Sequence, residues 1–237
     1  MPEQNSLIKN SHKIRIIKNV LTTALKLWLK SQVSEVSQLE VEIKASDRQI
    51  ISGCIPWVSI LASDAVYQGL NITRIQLIAE NIRVNIGAIL KGKQVKLLET
   101  VPVIGNLIVE EEDLNTSLSS ELLSTALNDV VSQILPENCL KSQLISWQKI
   151  ILGNNQIILK AIISPAREPK PLEIGLNLNL VGGNELKLEK IQAIQNHVSL
   201  LEDEHSYNLN LGSDVDIQEL SLLAGKLVCQ GRINVNP

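Results

Sequence analysis

From Leu172 to Leu180 the chain alternates strictly, with Leu172, Ile174, Leu176, Leu178 and Leu180 separated by Glu173, Gly175, Asn177 and Asn179. A period of two sends successive side chains to opposite faces of a strand, so this stretch specifies a sheet with one covered and one wet face. Gly182-Gly183-Asn184 supplies a turn and residues 186–194 return, which predicts an antiparallel hairpin. The alternation recurs at Leu39, Val41 and Ile43 against Glu40, Glu42 and Lys44, then at Leu209 and Leu211, and at Leu227, Cys229, Ile233 and Val235. Residues 50–61, 72–78, 82–86, 95–98 and 103–109 read as further strands, with Pro56 marking a bulge or an edge. Half-polar strands favour an antiparallel sheet over the all-apolar strands of a doubly wound fold.

Two stretches have a helical period instead. Over residues 14–33, Ile14, Ile17, Leu21, Ala24, Leu25 and Trp28 fall on one face, while Arg15, Asn19, Thr22, Lys26 and Lys30 gather on the other. Glu110-Glu111-Glu112-Asp113 opens a second helix with apolar positions from Leu114 to Ile134, and Pro136 ends it. The expected fold is α+β: a curved, mainly antiparallel sheet packed with an amphipathic N-terminal helix and a second mid-chain helix. Residues 1–12 are polar and aperiodic, which reads as a flexible N-terminus. The rest, 13–237, carries no repeat and no clear second core, so one domain is expected, with the proline-rich 165–171 as a loop between subregions.

Composition excludes more than it selects. At 44% hydrophobic in 237 residues the chain has ample material for a core. With no Phe, one Met, three Trp and two Tyr, that core must be Leu, Ile and Val. A net charge of −3 argues against general attraction to nucleic acid. Cys54, Cys139 and Cys229 lack the spacing of a disulfide framework or a zinc site and read as buried free thiols. Lys9, Lys13, Arg15 and Lys18 precede an apolar stretch, but Lys26 and Lys30 interrupt it and no small-residue cleavage site follows. No segment reaches the ~18 uninterrupted apolar residues that span a bilayer. The reading is therefore a cytoplasmic chain, without signal peptide or transmembrane helix, open to peripheral membrane contact.

Each fragment that resembles a catalytic motif has a simpler explanation. Gly87-Ala88-Ile89-Leu90-Lys91-Gly92-Lys93 has the spacing of a phosphate-binding loop, yet Gln94 stands where Ser or Thr would hold Mg²⁺ and a strand is expected to follow. A turn between strands is the preferred reading. His12, His197 and His205 show no metal or triad spacing. Glu110 to Asp113 complement a helix N-terminus, and Asp113 is placed to cap it. Asn71-Ile72-Thr73 and Asn115-Thr116-Ser117 fit the glycosylation pattern but read as incidental without a secretory signal. No catalytic residue, metal ligand or cofactor is assigned.

The basic amphipathic helix is the strongest physical clue. Its apolar face could pack on the sheet with the lysines keeping it soluble, or the same cations could attract anionic headgroups while apolar residues enter the interface. A family resemblance bears on the choice. Leu27-Trp28-Leu29-Lys30-Ser31-Gln32-Val33, Asp47-Arg48-Gln49-Ile50 with Gly53, Ala65-Val66-Tyr67-Gln68-Gly69-Leu70, Asn81-Ile82-Arg83-Val84-Asn85, Leu90-Lys91-Gly92-Lys93, Pro102-Val103 and Asp113-Leu114-Asn115-Thr116-Ser117-Leu118 follow one another in consistent order. Across roughly residues 20–135 the chain resembles the bacterial LmeA-like phospholipid-binding family; beyond that it is similar only in its strand-rich pattern.

The resemblance implies phospholipid binding without catalysis, on an α+β fold that presents apolar surface to acyl chains. The expected partner is phospholipid or an anionic membrane surface, not nucleic acid. Arg15, Lys18, Lys26 and Lys30 are the expected headgroup contacts, and Leu21, Leu25, Trp28 and Trp57 the expected apolar or interfacial ones. Lacking a recognisable signal peptide, the chain departs from secreted members, which leaves periplasmic roles in envelope biogenesis without support. The rival expectation is a protein-interaction scaffold with no lipid ligand.

Overall fold

The structure, a computed structural model, describes residues 3–135, 144–164, 169–201 and 205–237, with the side chains of 3–17, 47 and 205 left aside. Helix α1 (Glu3–Gln32) leads into β1 (Glu35–Lys44), a short α2 (Asp47–Ile51), the long hairpin β2 (Cys54–Tyr67) and β3 (Leu70–Arg83), a one-turn α3 (Ile86–Ile89) and β4 (Val101–Glu110). Next come α4 (Glu111–Thr116), a 3-10 turn (Ser117–Ser119) and α5 (Glu121–Ile134). Strands β5 (Leu144–Gly153), β6 (Gln156–Ser164), β7 (Lys170–Gly182), β8 (Glu185–Gln195), β9 (Val198–Ser199) and β10 (His205–Asn210) follow, then the hairpin β11 (Val215–Leu223) and β12 (Lys226–Val235).

The class is α+β, as the alternation predicts, but the strands form two antiparallel sheets. The first runs β1-β2-β3-β4-β12-β11 and the second β10-β8-β7-β6-β5, with β9 beside β8. The second sheet is thus inserted between β4 and the strands that complete the first. Helix α1 begins well ahead of the periodic stretch at Ile14: residues 3–13 contain neither Pro nor Gly, so nothing stops a docked helix from propagating backwards.

The expected mid-chain helix is broken at Ser120. That residue is extended (φ −70, ψ 143) and its hydroxyl accepts from Leu123 N at 3.2 Å, capping α5. The break lies against the β2–β3 turn, where Gly69 has φ +79 and a Cβ would come within 2.8 Å of Ser120 Cβ. Pro136 lies outside the described residues.

Two other expectations are corrected. Residues 50–61 divide between α2 and β2, because Ser46 and Gln49 form a capping box that starts a helical turn. Residues 82–86 and 95–98 are not independent strands: Ile82 and Arg83 end β3, Ile86 opens α3, and 95–98 run irregularly with one bridge, Val84 to Leu97.

Pro56 sits in a central strand, facing Asn81, whose φ is +54. Pro56 has no N–H to give the ladder, and at this pair both strands swap faces while keeping register, so Ile55 and Ile82 rejoin the side carrying Val58 and Ala79.

Buried side chains form two clusters. One joins Leu21, Ile43, Ile50, Ile55, Val58, Ile82 and Val84 under α1. The other fills the space between the second sheet and α5, with Trp147, Ile163, Ile174, Leu188 and Val131 at its heart and Leu222 reaching in from β11.

Helix α4 ties the halves together. Glu111 Oε2 accepts from Leu152 N at 2.8 Å, and Asn115 bonds both the N–H and the C=O of Ile150, at 2.8 and 2.9 Å. Asp113 accepts from the Thr73 hydroxyl in the first sheet.

Candidate functional site

Helix α1 covers only one end of the first sheet. Leu21 is 1% exposed and anchors that end, and between helix and sheet lies a cavity of about 200 Å³. Leu21, Leu25, Trp28 and Leu29 line it from α1, and Ile55, Val58 and Ile60 from β2. Leu77, Ala79 and Ile82 line it from β3, Val101 and Val103 from β4, Ile233 and Val235 from β12, and Val84, Val95 and Leu97 from the α3 connection. Every lining side chain is aliphatic except Trp28. Such a wall gives water no partners and carries no acid–base group.

A second, wider space of about 630 Å³ lies beside it, between α1 residues Val20, Thr23, Leu27 and Ser31 and the turn Ile89 to Val95. Trp28 and Val95 line both spaces and form their common wall.

Beyond the cavity the same sheet face continues as Ile75, Leu107, Cys229 and Leu220, successive partners across β3, β4, β12 and β11. These residues are half-buried and belong to neither core cluster. Gly105 pairs with Gly231 along the strip, and a Cβ on Gly231 would come within 2.7 Å of Asp216 O, so this glycine lets β11 curl in closely. Burial pushes the Cys229 thiol pKa up, as an apolar setting does.

Leu21, Leu25 and Trp28 are therefore brought together as cavity wall. Trp57 is not among the lining residues: it stands on the opposite face of β2, paired with Lys44, whose ammonium lies 4.0 Å from the ring centroid. Lys18 and Lys30 are exposed and Lys26 is half-buried; the Arg15 side chain lies outside the described residues. The walls given by β4 and β12 escaped sequence reading as site residues, although the Ile233 and Val235 alternation carried them.

The motif fragments find structural roles. Gly87 to Lys93 forms α3 and a turn with Gly92 at φ +75, not a strand–loop–helix phosphate cradle. The acidic run is spent on tertiary contacts: Asp113 bonds Thr73 and does not cap α4. Asn71 donates its amide to Ser117 Oγ at 3.0 Å and Asn115 donates to Ile150 O.

His197 is exposed in a turn with φ +68; the side chains of His12 and His205 lie outside the described residues. Cys54 and Cys229 are free and half-buried, and Cys139 lies outside the described residues. Among the described residues no group of His, Cys, Asp and Glu could hold a metal, and no helix is long and apolar enough to cross a membrane.

Compared with known proteins, residues 13–232 match the family described as LmeA-like phospholipid-binding, so the likeness runs through the second sheet as well as the first half. No curated protein and no solved structure matches the chain.

Proposed function

The chain belongs to the LmeA-like phospholipid-binding family, and from that premise we propose that it is a non-catalytic, peripheral membrane protein that holds or transfers phospholipid, with acyl chain in the cavity beneath α1. The observation that carries this reading is the lining: a contiguous aliphatic wall, interrupted by Trp28 alone, between a helix and a sheet that meet at only one end. Leaving such a volume unfilled would cost on the order of several kcal/mol, and a hydrocarbon chain recovers the dispersion contacts that water cannot. The half-buried strip through Leu107 and Cys229 extends the same surface and offers an acyl chain further length. Arg15, Lys18, Lys26 and Lys30 on α1 then supply attraction to anionic headgroups, at about 1 kcal/mol for each cation near a bilayer surface.

The test is native mass spectrometry of the purified chain, with extraction and identification of bound lipid, beside an Ala79→Phe variant that fills the cavity from β3. Phospholipid bound to the parent chain and reduced at least tenfold in the folded variant is the expected result. A parent chain that neither carries phospholipid nor takes it up from vesicles sinks the reading.

A further inference from the structure

The two elements flanking the wider cleft share an unusual surface. Leu27 on α1 is 64% exposed and Leu90, at the end of α3, is 50% exposed; Val20 and Leu98 extend the apolar rim at 38% and 57%. The same two segments carry Lys18, Lys26, Lys30, Lys91, Lys93 and Lys96, and neither residues 18–33 nor residues 84–98 contain a single Asp or Glu, while Glu99, just beyond, is paired with Arg83. None of the ion pairs formed among the described residues involves these lysines. The chain as a whole carries −3, so positive charge has been gathered where large apolar side chains meet solvent. Lys93 and Leu27 both line the cleft whose inner wall, Trp28 and Val95, is also the wall of the aliphatic cavity.

We propose that this rim is the membrane-docking surface: the leucines enter the interface of an anionic bilayer, the lysines of α1 and of the α3 turn engage its headgroups, and the cavity is thereby presented to the membrane. The docking orientation rests on the acyl-binding reading of the cavity; the surface itself does not. Charge complementarity selects the occupant, because exposed leucines on segments whose lysines form no ion pair among the described residues match an apolar layer beneath an anionic one.

Sedimentation of the full chain with phosphatidylcholine vesicles, with and without phosphatidylglycerol, tests it against a Leu90→Ser, Lys91→Glu, Lys93→Glu variant. Bound phospholipid is measured in the same preparations, and circular dichroism checks that the exposed substitutions leave the fold intact. Expected are partitioning of the parent chain that requires the anionic lipid and a drop of more than tenfold in the variant, since each lysine contributes roughly fivefold, with bound phospholipid unchanged. Equal partitioning of the two chains overturns the docking surface whatever their lipid content, and so does a parent chain that binds no vesicle and only a protein. Rim-dependent partitioning by a chain that never carries lipid upholds the surface and overturns the cavity reading instead.

Discussion

The two sheets are built from the same aliphatic residues and are covered to different degrees. In the second, Ile163, Ile174 and Ala193 are fully buried, and α5 lies along the face with Leu123, Leu127, Val130 and Val131 filling the gaps. In the first, α1 seals one end at Leu21 while Ile60, Leu77, Leu107 and Cys229 along the same face stay half-buried. What separates a core from the proposed binding surface here is helix placement, not strand chemistry. The alternation specifies an apolar face; the helix decides whether that face is finished.

The largest test of this contrast is Ile174→Ala, which removes a fully buried side chain from a filled face and should destabilise the protein by about 3 kcal/mol in a urea titration. We propose that the two sheets are one domain, so the transition should remain single by near- and far-UV circular dichroism; two separated transitions would break that proposal. Asn115→Ala comes next. It strips the Asn115 bonds from the Ile150 N–H and C=O and should cost about 2 kcal/mol by loosening the seam between the sheets. Leu77→Ala, the counterpart of Ile174→Ala on the unfinished face, should cost only about 1 kcal/mol, because the leucine already borders a cavity. A loss equal to that of Ile174→Ala would erase the distinction.

The smallest effect concerns Cys229. Its pKa is raised by burial, so its contribution to stability is present below the ordinary thiol pKa and is lost as pH rises through the raised value. In a chain with Cys54 and Cys139 changed to Ser, maleimide should label Cys229 slowly, faster at alkaline pH, and more slowly still once phospholipid is added. Labelling that ignores lipid would separate the Leu107–Cys229 strip from the proposed binding surface.

Much of this was legible in the sequence because strand alternation and helix period are local. The hairpin around Gly183 and Asn184, the amphipathic face of α1 and the placing of Leu21, Leu25 and Trp28 together on that apolar face all follow from side-chain direction. The hairpin of β5 and β6 escaped that reading, because Ile150-Ile151-Leu152 and Ile157-Ile158-Leu159 are continuous apolar runs whose period is hidden. The face swap at Pro56 and Asn81 depends on a positive φ, and the helix break at Ser120 on a turn packed from another strand; neither has a local period. The positions of Trp57 and of the α3 lysines are likewise tertiary. Alternation cannot say which face a helix will cover.

The insertion of the second sheet into the first has a kinetic consequence. Strand β4 finds its partner β12 only after the whole of β5 to β10 has been made. Until then its edge offers unpaired N–H and C=O groups beside an aliphatic face, the combination most prone to adventitious strand pairing. Emerging from the ribosome, the first four strands must wait with that edge open until β12 is made, and the β4–β12 ladder is a long-range pairing of the kind that slows folding.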